Sequence, residues 1–354
     1  MLSYMIFGIL TIGGLINIKN PRFTKWYSII LPCYIVVLSL FNTYNADYDV
    51  YYRIFYNKAW SSLEIGFEAL TDIARLLHIN YQCFFSIILS ISFYLLYNGI
   101  NALIKISDKK YVYFLYLLYP LMLDITQYRF FLATAIVVFC LKYLVSEDKG
   151  DIYKYLIGVI IASTIQITSL FYALFILYRI PHKKIVYKYS LLITFVLLFT
   201  LLTVNTDFII SFLSNLGNTK MAIYFDNHLN FGILIAFYYM LGSLASIYYI
   251  KKEMKLNNAN VFINFVFELH LIILFTLPLV YFDFQFLRFW RSLSILKYCV
   301  YAVYINDKEI DLTKRKYFLI IILCYIFSIF LYEILYLRFE NVFELILKNN
   351  WLLP

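Results

Sequence analysis

The stretch Tyr81–Ile104 runs 24 residues without an Asp, Glu, Lys or Arg. As a helix it measures about 36 Å, more than the roughly 30 Å hydrocarbon core of a bilayer. Runs of this kind recur along the chain and exclude most other folds. They do not alternate apolar and polar residues, so a membrane β-barrel does not fit. Composition agrees: 63% of the 354 residues are hydrophobic, 14% are charged, and the mean hydropathy is +0.76. A soluble domain carries about 25% charged residues. The predicted class is an all-α, polytopic membrane protein forming a single integral domain over 1–354.

About ten spans are expected, near 2–18, 26–44, 81–104, 111–126, 128–146, 187–206, 229–250, 261–281, 288–305 and 317–337. No cleavage site follows the first run, which is expected to be a retained span. Of the 30 Lys and Arg residues, 20 fall in one alternate set of connections and 9 in the other. The rich set is expected to be cytoplasmic. Both termini and the polar segment 45–80 then face outward. Topology also accounts for the net charge of +9, and no nucleic-acid partner is expected.

The apolar run 155–178 breaks the alternation, because basic loops flank it on both sides. Its 24 residues are too short for two crossings. Its centre, "ASTIQITS" from Ala162 to Ser169, is polar. A re-entrant hairpin broken there is expected, lining a cavity, since irregular backbone at depth survives only under protein or water. The competing reading is one ordinary span.

Polar residues gather on the outward side. Leu63–Leu77 places Leu63, Ile65, Phe67, Leu70, Ile73, Ala74 and Leu77 mostly three and four apart, with Glu64, Glu68, Asp72 and Arg75 elsewhere. This predicts an amphipathic helix at the interface. Arg129 sits in a tight turn at the outer end of a span, with Asp124 nearby. Arg288 and Arg291 are three apart and share a face at the start of another span. Such arginines either snorkel and pair with Asp47, Asp124 and Asp283, or serve function. Three on the side poor in positive charge favour function. A guanidinium is a fixed, fork-shaped donor suited to phosphate, so a lipid-linked phosphate substrate is expected.

Other polar groups point inward. Glu268 and Lys297 lie at similar depth and are expected to pair. His270 reads as a satisfied core histidine, and Glu333 is within reach of a rim arginine. The five cysteines read as small buried hydrophobes without metal spacing. No metal and no cofactor is expected. Walker A, dinucleotide-binding, HExxH and GxSxG patterns are all missing from the sequence.

These residues carry a resemblance. "NADYDVYYRIF" supplies Asp47, Tyr48, Tyr51 and Phe55, with Asn45 where the pattern has glycine. "EIGFEAL" supplies Glu64, Gly66 and Phe67, with Ile65 in place of proline. "YRFFLATAI" supplies Arg129 and Ala133, with Phe130 replacing glutamine. "TIQITS" puts Gln166 and Thr168 in the places of a histidine and a serine. In this order the features resemble the EpsG family of bacterial membrane proteins, akin to Wzy-type O-antigen and capsule polymerases.

The resemblance implies a glycosyltransferase that joins oligosaccharide repeat units carried on undecaprenyl pyrophosphate. The products would be O-antigen of lipopolysaccharide, or capsular polysaccharide. The site would face the periplasm or cell exterior from a multi-pass protein of the bacterial cytoplasmic membrane. Arg129, Arg288 and Arg291 would hold the leaving pyrophosphate. Glu64 or Asp47 would serve the acceptor hydroxyl, with Glu64 preferred. Tyr48, Tyr51, Gln166 and Thr168 would bind substrate. Gln166 cannot take a proton at neutral pH as a histidine can. Implied partners are the lipid-linked oligosaccharide, the bilayer, a chain-length regulator and a flippase. The alternatives are a flippase or transporter of the same unit, or another membrane glycosyl- or acyltransferase of surface polysaccharide. A transporter would want internal repeats, which are not visible in the sequence.

Overall fold

The computed structural model describes residues 2–15, 21–57, 64–106, 109–146, 148–180, 190, 193, 232–254, 260–282 and 284–353. Among the described residues every regular element is a helix, with one isolated bridge, Asn42 to Asn350. Two compact units are present. The first comprises Met1–Ala173 and Tyr298–Pro354, the second Leu174–Lys297.

Ten helices open the first unit: α1 (Leu2–Leu15), α2 (Pro21–Leu40), α3 (Tyr48–Asn57), α4 (Ile65–Leu76), α5 (Tyr81–Leu103), α6 (Lys110–Leu118), α7 (Leu121–Thr126), α8 (Tyr128–Cys140), α9 (Lys142–Val145) and α10 (Asp151–Ile165). A 3-10 stretch, Ile167–Arg179, follows. Among the described residues, four helices are long and apolar enough to cross a membrane: Tyr81–Leu103, Tyr128–Val145, Leu234–Glu253 and Leu312–Tyr336. Shorter apolar helices accompany them, among them Leu2–Gly14, Lys25–Leu40 and Val261–Leu274. Three of the expected spans are interrupted. The expected span 111–126 breaks at Tyr119–Pro120. The span 261–281 breaks at 275–276, and 288–305 opens with separate short turns. The span expected at 187–206 lies outside the described residues apart from two isolated positions.

The breaks are satisfied from within, as a membrane interior requires. Tyr119 ends α6, and its carbonyl accepts the Tyr298 hydroxyl at 2.8 Å. Within helices, buried hydroxyls turn back on the preceding turn: Ser39 to the Ile35 carbonyl and Ser92 to that of Ile88, each at 2.7 Å. Asn80 starts α5 by accepting the Cys83 amide at 2.8 Å, an N-cap bond.

The core of this unit is α8. It packs against α5 on one side and α10 on another. The α5 contact is close enough to need glycine: a Cβ on Gly99 would lie 2.8 Å from Phe139 Cα. Small residues let membrane helices approach in this way.

Both termini and the opening segment lie at one end of the first unit, as the charge pattern requires. Tyr34 donates to the Ser3 carbonyl at 3.0 Å and Tyr27 to that of Leu10 at 2.8 Å, so α1 and α2 run antiparallel. The Thr43 amide meets the Asn349 carbonyl at 2.8 Å, and the Trp351 amide meets that of Phe41 at 3.0 Å. The C-terminal segment folds back through π-type turns at Leu331–Tyr336 and Phe339–Glu344. Phe343 then reaches the rings of Phe7 at 5.3 Å and Phe330 at 6.0 Å. Three cysteines, Cys33, Cys83 and Cys324, are exposed on helix surfaces and not buried as expected.

In the second unit the Gly232–Glu253 and Asn260–Leu274 helices pack together. Lys297 donates to the Ser243 hydroxyl at 2.8 Å in a fully buried setting, and Glu268 is itself buried. His270 is buried, bonds the Val266 carbonyl through Nδ1 at 2.8 Å, and stands edge-on to Trp290 at 4.7 Å. Its Nε2 has no partner, so this core histidine is only half satisfied.

Candidate active site

The break after α10 sets the frame. Helix α10 ends at Ile165, and Gln166 takes an extended conformation with φ −146 and ψ 107. Beyond it the Tyr155 hydroxyl donates to the Tyr172 carbonyl at 2.6 Å. A continuous helix would hold those residues about 25 Å apart. The two limbs therefore run back alongside each other, and the turn between them falls inside "ASTIQITS", where the sequence reading puts it.

Helix α4 lies on the tip of this hairpin. A Cβ on Gly66 would fall against the Thr164 hydroxyl, 2.8 Å from Thr164 Cβ and 2.9 Å from its carbonyl carbon. That approach accounts for the glycine of "EIGFEAL". Ile65 is the first residue of α4, a position that suits proline and tolerates other residues. It is 81% exposed.

The expected amphipathic helix is present with a correction to its faces. Phe67 and Ala74 are buried, whereas Ile73, Leu76 and Leu77 are exposed with Ile65. One apolar face therefore meets the protein, and a second apolar stripe is left open. Arg75 ties α4 to α3 by donating to the Phe55 carbonyl at 3.0 Å, and it also pairs with Asp72.

Glu64, at the start of α4, does not cap its own helix. Its carboxylate reaches elsewhere. Oε2 accepts from the Arg129 guanidinium at 2.6 Å, and Oε1 accepts from the Ile167 main-chain amide at 3.2 Å. Ile167 is the first residue past the break, so the carboxylate satisfies an amide that the break releases. Arg129 stands at the start of α8 with its guanidinium 5.6 Å from the Phe67 ring centroid. Its Nε is buried without a partner. Both side chains are largely buried, 18% exposed for Arg129 and 17% for Glu64. The sequence reading pairs Arg129 with Asp124 or Asp47 as its structural option; the partner is Glu64. Asp124 instead accepts from the Tyr116 hydroxyl at 2.8 Å.

Aromatic rings hold this arrangement in place. Tyr51 on α3 meets the rings of Tyr128 at 4.7 Å and Phe67 at 6.0 Å. Phe85 on α5 meets Tyr128 at 5.1 Å. The pieces "NADYDVYYRIF", "EIGF", "YRFF" and "TIQITS" therefore converge in one place. Asn45, in the glycine position, is buried; its Oδ1 accepts the Asp47 amide at 3.1 Å and its amide donates to Asn42 at 3.1 Å. Asp47 sits just ahead of α3. Tyr48 stacks with Tyr52 and meets Tyr44 and Tyr81 edgewise or tilted. The Tyr44 hydroxyl donates to Asp49 at 2.7 Å, and that carboxylate pushes the phenol above its ordinary value. Thr168 Oγ1 and Ser169 Oγ, in the first turn past the break, are buried without partners.

Other expected residues lie elsewhere. Arg288 and Arg291 belong to the second unit. Arg288 folds onto Gln285, donating to its carbonyl at 3.0 Å, and Arg291 is buried. Glu333 pairs with Arg338, an outward-side arginine five residues along its own segment. Sequence reasoning misses the asparagine group beside the site. Asn42 donates to the carbonyls of Tyr44 at 3.0 Å and Asn349 at 3.1 Å, and Gln82 donates to the Asn42 carbonyl at 2.7 Å. The recurrence of asparagine at both ends of that contact, Asn42 and Asn45 against Asn349 and Asn350, is the signal available in the sequence.

Among the described residues no group of three His, Cys, Asp or Glu side chains is placed to hold a metal ion. In comparisons with known proteins, the model of the EpsG family matches residues 6–345. No curated protein and no solved structure matches the chain.

Proposed function

The chain belongs to the EpsG family, helical membrane proteins of polysaccharide biosynthesis, and from that premise we propose that it polymerises lipid-linked oligosaccharide repeat units. The substrate is a repeat unit on undecaprenyl pyrophosphate, and the reaction takes place at the outer face of the bacterial cytoplasmic membrane. The product is O-antigen or capsular polysaccharide. The observation that carries the reading is Arg129. It is a largely buried guanidinium with an unpartnered Nε, set at the break of a re-entrant limb and held by a carboxylate.

The chemistry follows from those two groups. The bond between the anomeric carbon of the growing chain and the pyrophosphate oxygen breaks. Undecaprenyl pyrophosphate leaves with the electron pair. The acceptor hydroxyl oxygen of the next unit bonds the anomeric carbon, and its proton passes to a carboxylate. Arg129 neutralises the charge that builds on the leaving group. One preorganised donor of this kind contributes about 2.7–4 kcal/mol. Glu64 is the preferred carboxylate, and Asp47 the second candidate. Acid–base help of this type is worth about 10²–10⁴-fold. Tyr48, Tyr51, Gln166 and Thr168 are assigned to the sugars.

The test is deletion of the gene in its native host, with wild-type and Arg129→Ala complements. Surface polysaccharide is then resolved on a gel. The proposal expects a single capped repeat unit in the deletion, a ladder in the wild-type complement and no ladder with Arg129→Ala. Loss of even the single unit from the surface would assign the protein to export, and an unchanged ladder would refute the proposal.

A further inference from the structure

The Glu64 carboxylate occupies both of its oxygens on donors far away in sequence. They are the Arg129 guanidinium at 2.6 Å and the Ile167 amide at 3.2 Å. Glu64 stands at the N-cap position of α4, next to the free amides of its own helix. Here it turns away from them and makes no cap bond. The donor set it fills, a guanidinium plus a main-chain amide at a chain break, is one that phosphate oxygens also take. Donors remain that Glu64 does not use. The Arg129 Nε, Thr168 Oγ1 and Ser169 Oγ are buried without partners, and Ser169 is fully buried.

We propose that Glu64 is an internal ligand of an anion site, and that a pyrophosphate group displaces it from Arg129 and Ile167. This deepens the reading above and rests on it for the identity of the ligand, the pyrophosphate of a lipid carrier. It also sets an order. While both oxygens are engaged, the carboxylate is poorly placed to accept a proton from a hydroxyl. Once pyrophosphate takes the two donors, Glu64 is released toward the acceptor. The lipid-linked donor then binds before the acceptor is activated, which keeps water from being activated in an empty site.

The test uses the full chain in lipid nanodiscs. Binding of inorganic pyrophosphate is measured, with farnesyl pyrophosphate and inorganic phosphate as separate arms. Glu64→Gln keeps an acceptor for Ile167 and removes the charge that competes for Arg129. The proposal expects pyrophosphate to bind Glu64→Gln roughly tenfold more tightly than wild type, as removal of a competing closed state requires. Arg129→Ala is expected to lose that binding. Unchanged or weaker binding by a folded Glu64→Gln protein would overturn the proposal. Tighter farnesyl than inorganic pyrophosphate identifies a lipid-linked source, and equal binding of inorganic phosphate would overturn the pyrophosphate assignment.

A second measurement needs no variant. Water-soluble carbodiimide labelling of wild-type Glu64, read by mass spectrometry, is expected to rise when pyrophosphate is added. Protection by pyrophosphate would overturn displacement. Tighter binding by Glu64→Gln with a normal polymer ladder would uphold the internal ligand while removing Glu64 from the acceptor chemistry, so the two readings fail separately.

Discussion

Replacing Gly66 by alanine separates this account from ordinary helix behaviour by the sign of the result. Gly66 lies in the first turn of α4, and a glycine-to-alanine change in a helix normally stabilises it by about 0.5–1 kcal/mol. Here the new Cβ would meet the Thr164 hydroxyl, which can rotate, but also Thr164 Cβ at 2.8 Å and its carbonyl carbon at 2.9 Å, which cannot. Ordinary contact begins at 3.4 Å, so α4 must retreat by about 0.6 Å. A rigid retreat stretches the Glu64 contact to the Ile167 amide from 3.2 Å to about 3.8 Å, beyond hydrogen-bond range. Overpacking of this kind costs about 1–3 kcal/mol, larger than the helix gain. Misplacement of the carboxylate by a fraction of an ångström adds a loss of activity of up to about 10²-fold. The assays are thermal unfolding in nanodiscs and the polysaccharide ladder in complemented cells. Lower thermal stability together with a shortened ladder is the expected result. A Gly66→Ala protein that is more stable and makes a normal ladder would refute the reasoning, because α4 would then not press on the hairpin tip.

The remaining predictions concern the same frame. Tyr155→Phe removes the bond to the Tyr172 carbonyl and strands a buried acceptor; a loss of about 1–3 kcal/mol in unfolding measurements is expected. Cysteines placed at Lys149 and Arg179 should both react with an impermeant maleimide from the cytoplasmic side, since a hairpin returns to the side it left, whereas a single span would separate them. Glu64→Gln and Arg129→Gln, combined in a double-mutant cycle on thermal stability, should show coupling of about 1–2 kcal/mol, above the exposed-pair range because both groups are largely buried.

The architecture was legible in the sequence where one physical rule dominated. Uncharged runs and lysine counts yield membrane helices and a common end for both termini, because bilayer thickness and loop charge leave few alternatives. The break at Gln166 was legible for the same reason, since two basic flanks and a polar centre conflict with an unbroken crossing. The breaks at Tyr119–Pro120 and at 275–276 were not. A hydropathy pattern records apolar length and is blind to where a neighbour such as Tyr298 supplies a partner for a released carbonyl. At the site, Glu64, Arg129 and the "TIQITS" break were each readable as residues out of place in an apolar chain. Their meeting was not, because 65 residues separate Glu64 from Arg129 and 103 separate it from Ile167. The faces of α4 were misread because periodicity groups all apolar residues together, while Ile65, Ile73 and Leu76 stay open and Phe67 and Ala74 turn in.

The central claim is that the Glu64–Arg129 pair is the reaction site of a repeat-unit polymerase. Its most direct test is reconstitution of the purified protein in vesicles with the lipid-linked repeat unit that accumulates in the deletion strain. The account predicts a ladder of longer glycans, one undecaprenyl pyrophosphate released for each new glycosidic bond, and neither product with Arg129→Ala. Passage of the intact unit across the vesicle membrane, with no new bond and no released carrier, would contradict it.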